Sequence, residues 1–165
     1  MGCDIHCYIE YAGLYNEDYY DSFGGEIYIG RDYNLFNLMA GVRSHYPNPV
    51  IAPRGIPSNL GFEAGNDYHL MVNDEFAEKE YEKYTTQALA EQWVKNNLSQ
   101  WVIDPKRPEF VRVTHPDWHT PSWLTREEII SIKRKLKYKN ICLNAITAAM
   151  KELGPTARLV FWFDN

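Results

Sequence analysis

Residues 1–11, MGCDIHCYIEY, and residues 157–165, ARLVFWFDN, decide the fold. In the first, Cys3, Ile5, Cys7, Ile9 and Tyr11 alternate with Asp4, His6, Tyr8 and Glu10, the period of two that marks a strand. The second alternates in the same way, with Leu159, Phe161 and Phe163 on one side and Arg158, Val160, Trp162 and Asp164 on the other. Chain ends this apolar fray unless they are built into a sheet. Both are therefore expected inside one sheet, as neighbours. If they pair, Asp4, His6, Tyr8 and Glu10 share a face with Trp162 and Asp164; register itself is not readable from sequence.

Between these ends the pattern is mixed. AGLYNEDYYDSFGG (12–25) reads as a loop or irregular hairpin connection, and EIYI (26–29) as a short strand stopped by Gly30. Leu35, Phe36, Met39 and Val42 recur at helical spacing behind Asp32 as N-cap, with Gly41 at the C-terminal end. Residues 45–67, rich in Pro and Gly, carry no periodicity and read as a long ligand loop or lid. DYHLMV suggests a brief strand, residues 74–99 one or two helices striped by Leu89, Trp93, Val94 and Leu98, and EFVRV (109–113) another strand. THPDWHTPSWL is read as an aromatic, His-rich loop. Thr125 and Glu128 form a capping box for a helix to about residue 137. YKNICLNAITAAMKEL continues as a last helix ended by Gly154 and Pro155. The class expected is α+β: an antiparallel or mixed sheet that includes both terminal strands, with helices packed on one face.

Length and composition set the bounds. A chain of 165 residues is one domain (1–165) by the usual size prior, and buries roughly 70% of its unfolded surface without help from a metal or disulfide. The formal net charge of −5 argues against extended nucleic acid as a partner, since that contact needs a basic face, but leaves room for one small phosphorylated ligand. Three cysteines (Cys3, Cys7, Cys142) make no disulfide framework, and no long apolar run predicts export or membrane insertion, so a cytoplasmic protein is expected. Aromatic residues reach 15%, which suits core volume and ligand stacking equally.

Three groups of residues have the chemistry of a site. Asp4, His6 and Asp164 on the polar strand face, with His119, are candidate catalytic residues, because a carboxylate beside an imidazole orients its tautomer or shares its proton; the same face is also consistent with plain solvation. In HPDWH, His115 and His119 have a helical ligand spacing, but Pro116 and Pro121 argue against a helix, so zinc is not expected and no metal or cofactor is assigned. As a ligand loop it offers Trp118, His119, Ser122 and Trp123, unless the two tryptophans only pin the loop to the core. Arg31, Arg43 and Arg54 are candidate anion ligands, Arg54 above all in its Pro-Arg-Gly setting. Tyr8 and Trp162 complete the ligand set. Cys3 and Cys7 fall on the apolar face, where thiols are inert.

MGCDIH, RDYNLF…AGVR, PRGIP, the stretch Trp118-His119 with Ser122-Trp123-Leu124-Thr125, and VFWFDN together resemble a family of small phage and bacterial proteins that open MGCDIH. The resemblance implies a phage or mobile-element setting, action inside a bacterial host cell, and one recurring site built from the terminal strands, the three arginine segments and the His119 loop. It implies no activity.

Of three readings the first is the function expected, and the other two are alternatives. Arginines for phosphate, rings for bases and a Gly/Pro lid describe a binder of a small nucleotide-like ligand, such as a phage protein sequestering a bacterial immune signal; a homo-oligomer is compatible with this but not required. Asp4, His6, His119 and Asp164 describe a phosphodiesterase or related hydrolase. Exposed aromatics describe a protein-binding inhibitor or structural phage protein.

Overall fold

The computed structural model describes residues 2–13, 16–78, 82–103 and 108–164. The chain divides into two compact units, one of residues 1–64 and 119–165, the other of residues 65–118. Among the described residues no helix is long and apolar enough to cross a membrane.

The first unit is α+β. Strands β1 (Ile5–Gly13) and β2 (Asn16–Ser22) come before helix α1 (Tyr33–Ala40), and strand β7 (His119–Thr125), helices α5 (Arg126–Lys135) and α6 (Ile141–Leu153) and strand β8 (Arg158–Phe163) follow the insertion. The sheet order is β2-β1-β8-β7, antiparallel throughout, so the two terminal strands pair in its centre. Their register sets Ile5 opposite Phe163, His6 opposite Trp162, Tyr8 opposite Val160 and Glu10 opposite Arg158. Directly opposed residues share a face. The polar set of β1 therefore lies beside Trp162, as the alternation requires.

The other face is the core. Ile5, Cys7 and Ile9 of β1, Leu159, Phe161 and Phe163 of β8 and Leu124 of β7 pack against Leu35, Phe36 and Met39 of α1, Ile129 and Ile132 of α5, and Leu143, Ile146 and Met150 of α6. Each such side chain contributes about 1.5–3 kcal/mol on burial. Two helices start where the sequence says: Asp32 and Thr125 accept from Leu35 and Glu128 N–H, with the Thr125–Glu128 box complete, while α6 starts after Asn140, which accepts from Leu143 N–H and is a cap not expected from the sequence. Gly41 ends α1 in the left-handed region, φ 73°, which explains the glycine there.

Several local readings change. Residues 16–22, read within a loop or irregular hairpin connection, form strand β2. EIYI forms no strand; its Ile27 N–H reaches the sheet at the Cys7 carbonyl. The aperiodic stretch ends at Phe62, where helix α2 (Phe62–Tyr68) begins, and the loop before it is bound to the sheet instead of standing free as a lid. Gly55 N–H bonds to Pro121 carbonyl and Arg54 N–H to Ser122 Oγ, which covers the outer edge of β7. The His-rich loop is in fact strand β7 from His119 onward. Its register slips between His119 and Ser122, where Thr120 adopts φ 49°. Pro121 within the run hides this strand from a propensity reading, since proline within sheets is confined to edges and bulges.

At the far end of the β1–β8 pair, Glu10 and Arg158 are buried together. Arg158 Nε and Nη2 donate to Glu10 Oε2 at 2.9 and 2.8 Å, and Gly61 N–H donates to Oε1 at 2.8 Å. The guanidinium also donates to Asn59 Oδ1 and carbonyl and lies 3.6 Å above the Tyr20 ring. Burial pushes the Glu10 carboxyl above its ordinary range against the pull of Arg158. A Cβ on Gly61 would stand 2.7 Å from Glu10 Oε1, so only glycine brings its N–H this close.

The second unit holds strands β3 (His69–Val72), β4 (Tyr84–Thr85), β5 (Trp101–Ile103) and β6 (Val111–Thr114), with the short helix α3 (Asp74–Ala77) and helix α4 (Gln87–Lys95). Its sheet order is β4-β3-β6-β5. Leu70, Ala90 and Val113 form its core with Val72, Trp93, Val94 and Trp101 against them. The helical reading across 79–81 lies outside the described residues. Leu89 and Leu98, expected in the apolar stripe, are exposed.

Candidate functional site

The open end of the β1–β8 pair gathers the polar residues around Asp164. Asp4 N–H donates to Asp164 Oδ1 at 2.7 Å, and Asp164 N–H returns a longer bond to the Asp4 carbonyl. Asp164 Oδ2 lies 3.7 Å from His6 Nε2, while His6 Nδ1 stands 2.7 Å from Glu26 Oε1. The imidazole is thus flanked by a carboxylate at each nitrogen. Asp164 is 29% exposed and His6 18%, but both ring nitrogens of His6 are shielded from solvent.

His119 joins from the core side of the sheet. It stacks on Phe163, and its Nε2 lies 3.3 Å from the Asp164 carbonyl and its Nδ1 2.9 Å from Thr120 Oγ1. It touches the backbone of Asp164, not the carboxylate, which makes it a positioning residue. Thr120 is β-branched and left-handed, a conformation that costs energy and persists where the surroundings fix it. The bulge it makes is what turns His119 toward Asp164.

Arg31 forks onto Asp4, with Nε and Nη2 each 2.5 Å from a carboxylate oxygen. This pairing holds the Asp4 carboxyl well below the usual carboxylate range. Asp4 consequently stays anionic near neutrality and delivers no proton; it is an anchor. Arg43, itself left-handed at φ 56°, donates to the Gly2 carbonyl at 2.9 Å, and a Cβ on Gly2 would stand 2.6 Å from Arg31 Nη1. Gly2 and Asp4 are therefore held by two guanidinium groups. Burial pushes the Cys3 and Cys7 thiols up, as their apolar positions require.

The remaining candidates fall elsewhere. Trp162 and Tyr8 are buried, their rings stacked in a row with His6 at centroid distances of 5.8 and 5.5 Å, so they line the sheet and support His6 instead of offering a stacking face. Arg54 lies 4.0 Å over the Trp123 ring, with Nη2 2.5 Å from Glu128 Oε2, while buried Ser122 accepts its N–H. This clasp ties the Pro/Gly loop to the capping box of α5. Arg54→Ala is expected to lower the urea-unfolding stability by about 1–2 kcal/mol, from one half-buried cation–π contact and one charge-assisted hydrogen bond; an unchanged midpoint contradicts the clasp. Trp118 lies in the second unit, stacked on His115 at 4.2 Å, with its indole N–H on the Asp67 carbonyl.

Glu26 escaped the sequence reading. It sits in a segment read as a strand, and no spacing marks it as a partner of His6. Among the described residues no three His, Cys, Asp or Glu side chains converge so as to hold a metal ion. Fold and site together define an α+β protein with a carboxylate-flanked histidine at the end of its central strand pair. No protein family, curated protein or solved structure matches the chain.

Proposed function

We propose that this cluster is an acid–base site acting on a small phosphorylated, nucleotide-like ligand by hydrolysis. The carrying observation is the line Glu26–His6–Asp164, at 2.7 and 3.7 Å. A carboxylate at Nδ1 fixes the tautomer, leaving Nε2, itself shielded from water, to pass a proton by way of Asp164, the more exposed of the two. Asp164 faces that nitrogen and is held in turn by Asp4 N–H and by His119 at its carbonyl. Arg31, half exposed beside Asp4, and Arg43 border the cluster as cations for a phosphate.

The second reading is sequestration without turnover, as in a phage protein that withdraws a bacterial immune signal. The opening MGCDIH and closing VFWFDN support that setting, and the two bordering arginines support anion capture. The burial of Trp162 and Tyr8 counts against it, because a sponge for nucleotides needs rings that bases can reach.

Incubation with cyclic di- and trinucleotides and ADP-ribose-type compounds, followed by thermal shift and chromatography of the released ligand, separates the two. A cleaved product is expected, with His6→Gln losing about 10²–10⁴-fold in turnover while still being stabilised by the ligand. A ligand recovered intact, with His6→Gln losing affinity instead, establishes sequestration. No stabilisation by any of them contradicts both.

A further inference from the structure

A second site lies at the opposite end of the same sheet, where β2 forms the outer edge. A depression of about 300 Å³ is lined by Tyr11, Tyr19, Tyr20 and Phe62 with Asp21 and Glu63. Tyr11 stands directly opposite Asp21, and Tyr20 opposite Ala12, so by alternation the depression takes side chains from both faces of β2. Tyr19 and Phe62 are more than half exposed. These rings, Tyr19 on the edge strand and Phe62 at the start of α2, leave apolar surface to water with no gain to the core, which marks surface kept for contact.

The charge is one-sided. Two carboxylates line the depression and no Lys or Arg does, in a chain with 17 basic residues. Arg158 lies over Tyr20, but its charge is already matched by Glu10.

We propose that this depression binds a small alkylammonium ion of the diamine type. Ring faces attract a cation through their quadrupoles, and the methylene chain of such a ligand covers Tyr19 and Phe62. The two carboxylates match two positive ends. An anionic or neutral ligand meets none of these conditions together. The proposal is independent of the His6 cluster.

The test uses putrescine, with 1,4-butanediol as its neutral counterpart of similar shape, titrated against the full chain while the tyrosine ring signals are followed by NMR. Putrescine is expected to move the Tyr11, Tyr19 and Tyr20 signals with a saturable millimolar dissociation constant, and the diol to leave them in place. Tyr19→Ala, at an exposed position that should not impair folding, is expected to weaken binding about two- to fivefold, and the pair Asp21→Asn with Glu63→Gln at least as much. The proposal is overturned if the diol binds as well as the diamine. It is equally overturned if no ring signal moves by about 10 mM, or if both sets of substitutions leave the affinity unchanged.

Discussion

Glu10→Ala is expected to lower the stability of the first unit by about 3–5 kcal/mol, enough to unfold a marginal domain near room temperature. The carboxylate is fully buried, and its removal leaves the Arg158 guanidinium inside the protein with, among the described residues, only Asn59 as a polar partner and the Tyr20 ring against it. Substituting both partners is far milder. Glu10→Leu combined with Arg158→Met removes two charges together, and buried ion pairs replaced by apolar residues of similar size are often neutral or better. Urea unfolding of the single and double variants checks this. A double variant as unstable as Glu10→Ala alone would show that packing around Tyr20, and not the stranded charge, sets the cost.

The second large effect concerns acid and the inserted unit. His69 Nδ1 meets the Gly65 carbonyl at 3.0 Å, and the ring lies edge-on to Tyr68. Burial, aided by the charge of Arg112, pushes its pKa down to about 4 from 6.5. The folded unit therefore binds the proton later than the unfolded chain does. Its contribution is fully present above pH 6.5 and is lost as pH falls from there to about 4, a change of about 3 kcal/mol. Amide exchange in β3 and β6, compared at pH 7 and 4.5 after correction for the intrinsic rate, should report this weakening. His69→Asn keeps a donor for Gly65 and does not titrate, so it should flatten the dependence. An unchanged slope in that variant would assign the acid sensitivity to other groups.

The parts of the fold that follow from period were readable, and those that follow from tertiary context were not. The alternation at 3–11 and 158–164 states both the strands and their faces, and the apolar character of both ends places them inside the sheet. Asp32 and Thr125 start helices by a local bond that depends on nearby residues alone. By contrast, β7 contains Pro121 and a bulge, so its strand character comes from pairing with β8 and not from propensity. EIYI has the composition of a strand but finds no ladder to join.

The site divides in the same way. Asp4, His6 and Asp164 follow from alternation plus one guess, that the ends pair. Glu26 does not, because nothing local links it to a histidine twenty residues earlier. Arg54 and Trp162 were attractive for their chemistry, yet a guanidinium clasped by Glu128 and an indole in the sheet interior are held by packing that composition does not record. The aromatic surplus has two destinations. Part of it fills the core, and part lines the edge of β2.

The most direct test of the proposed site is the response of the His6 imidazole itself. Nitrogen-15 histidine NMR, with a non-hydrolysable phosphorothioate analogue of a cyclic dinucleotide added to the wild type and to Asp164→Asn, reads it without turnover. Asparagine retains an acceptor for Asp4 N–H, so the strand ends stay joined. The account predicts that the His6 signals move with the ligand in the wild type and fail to move in the variant. His6 signals that stay fixed while residues elsewhere respond would contradict it, because the ligand would then be held at another place in the fold.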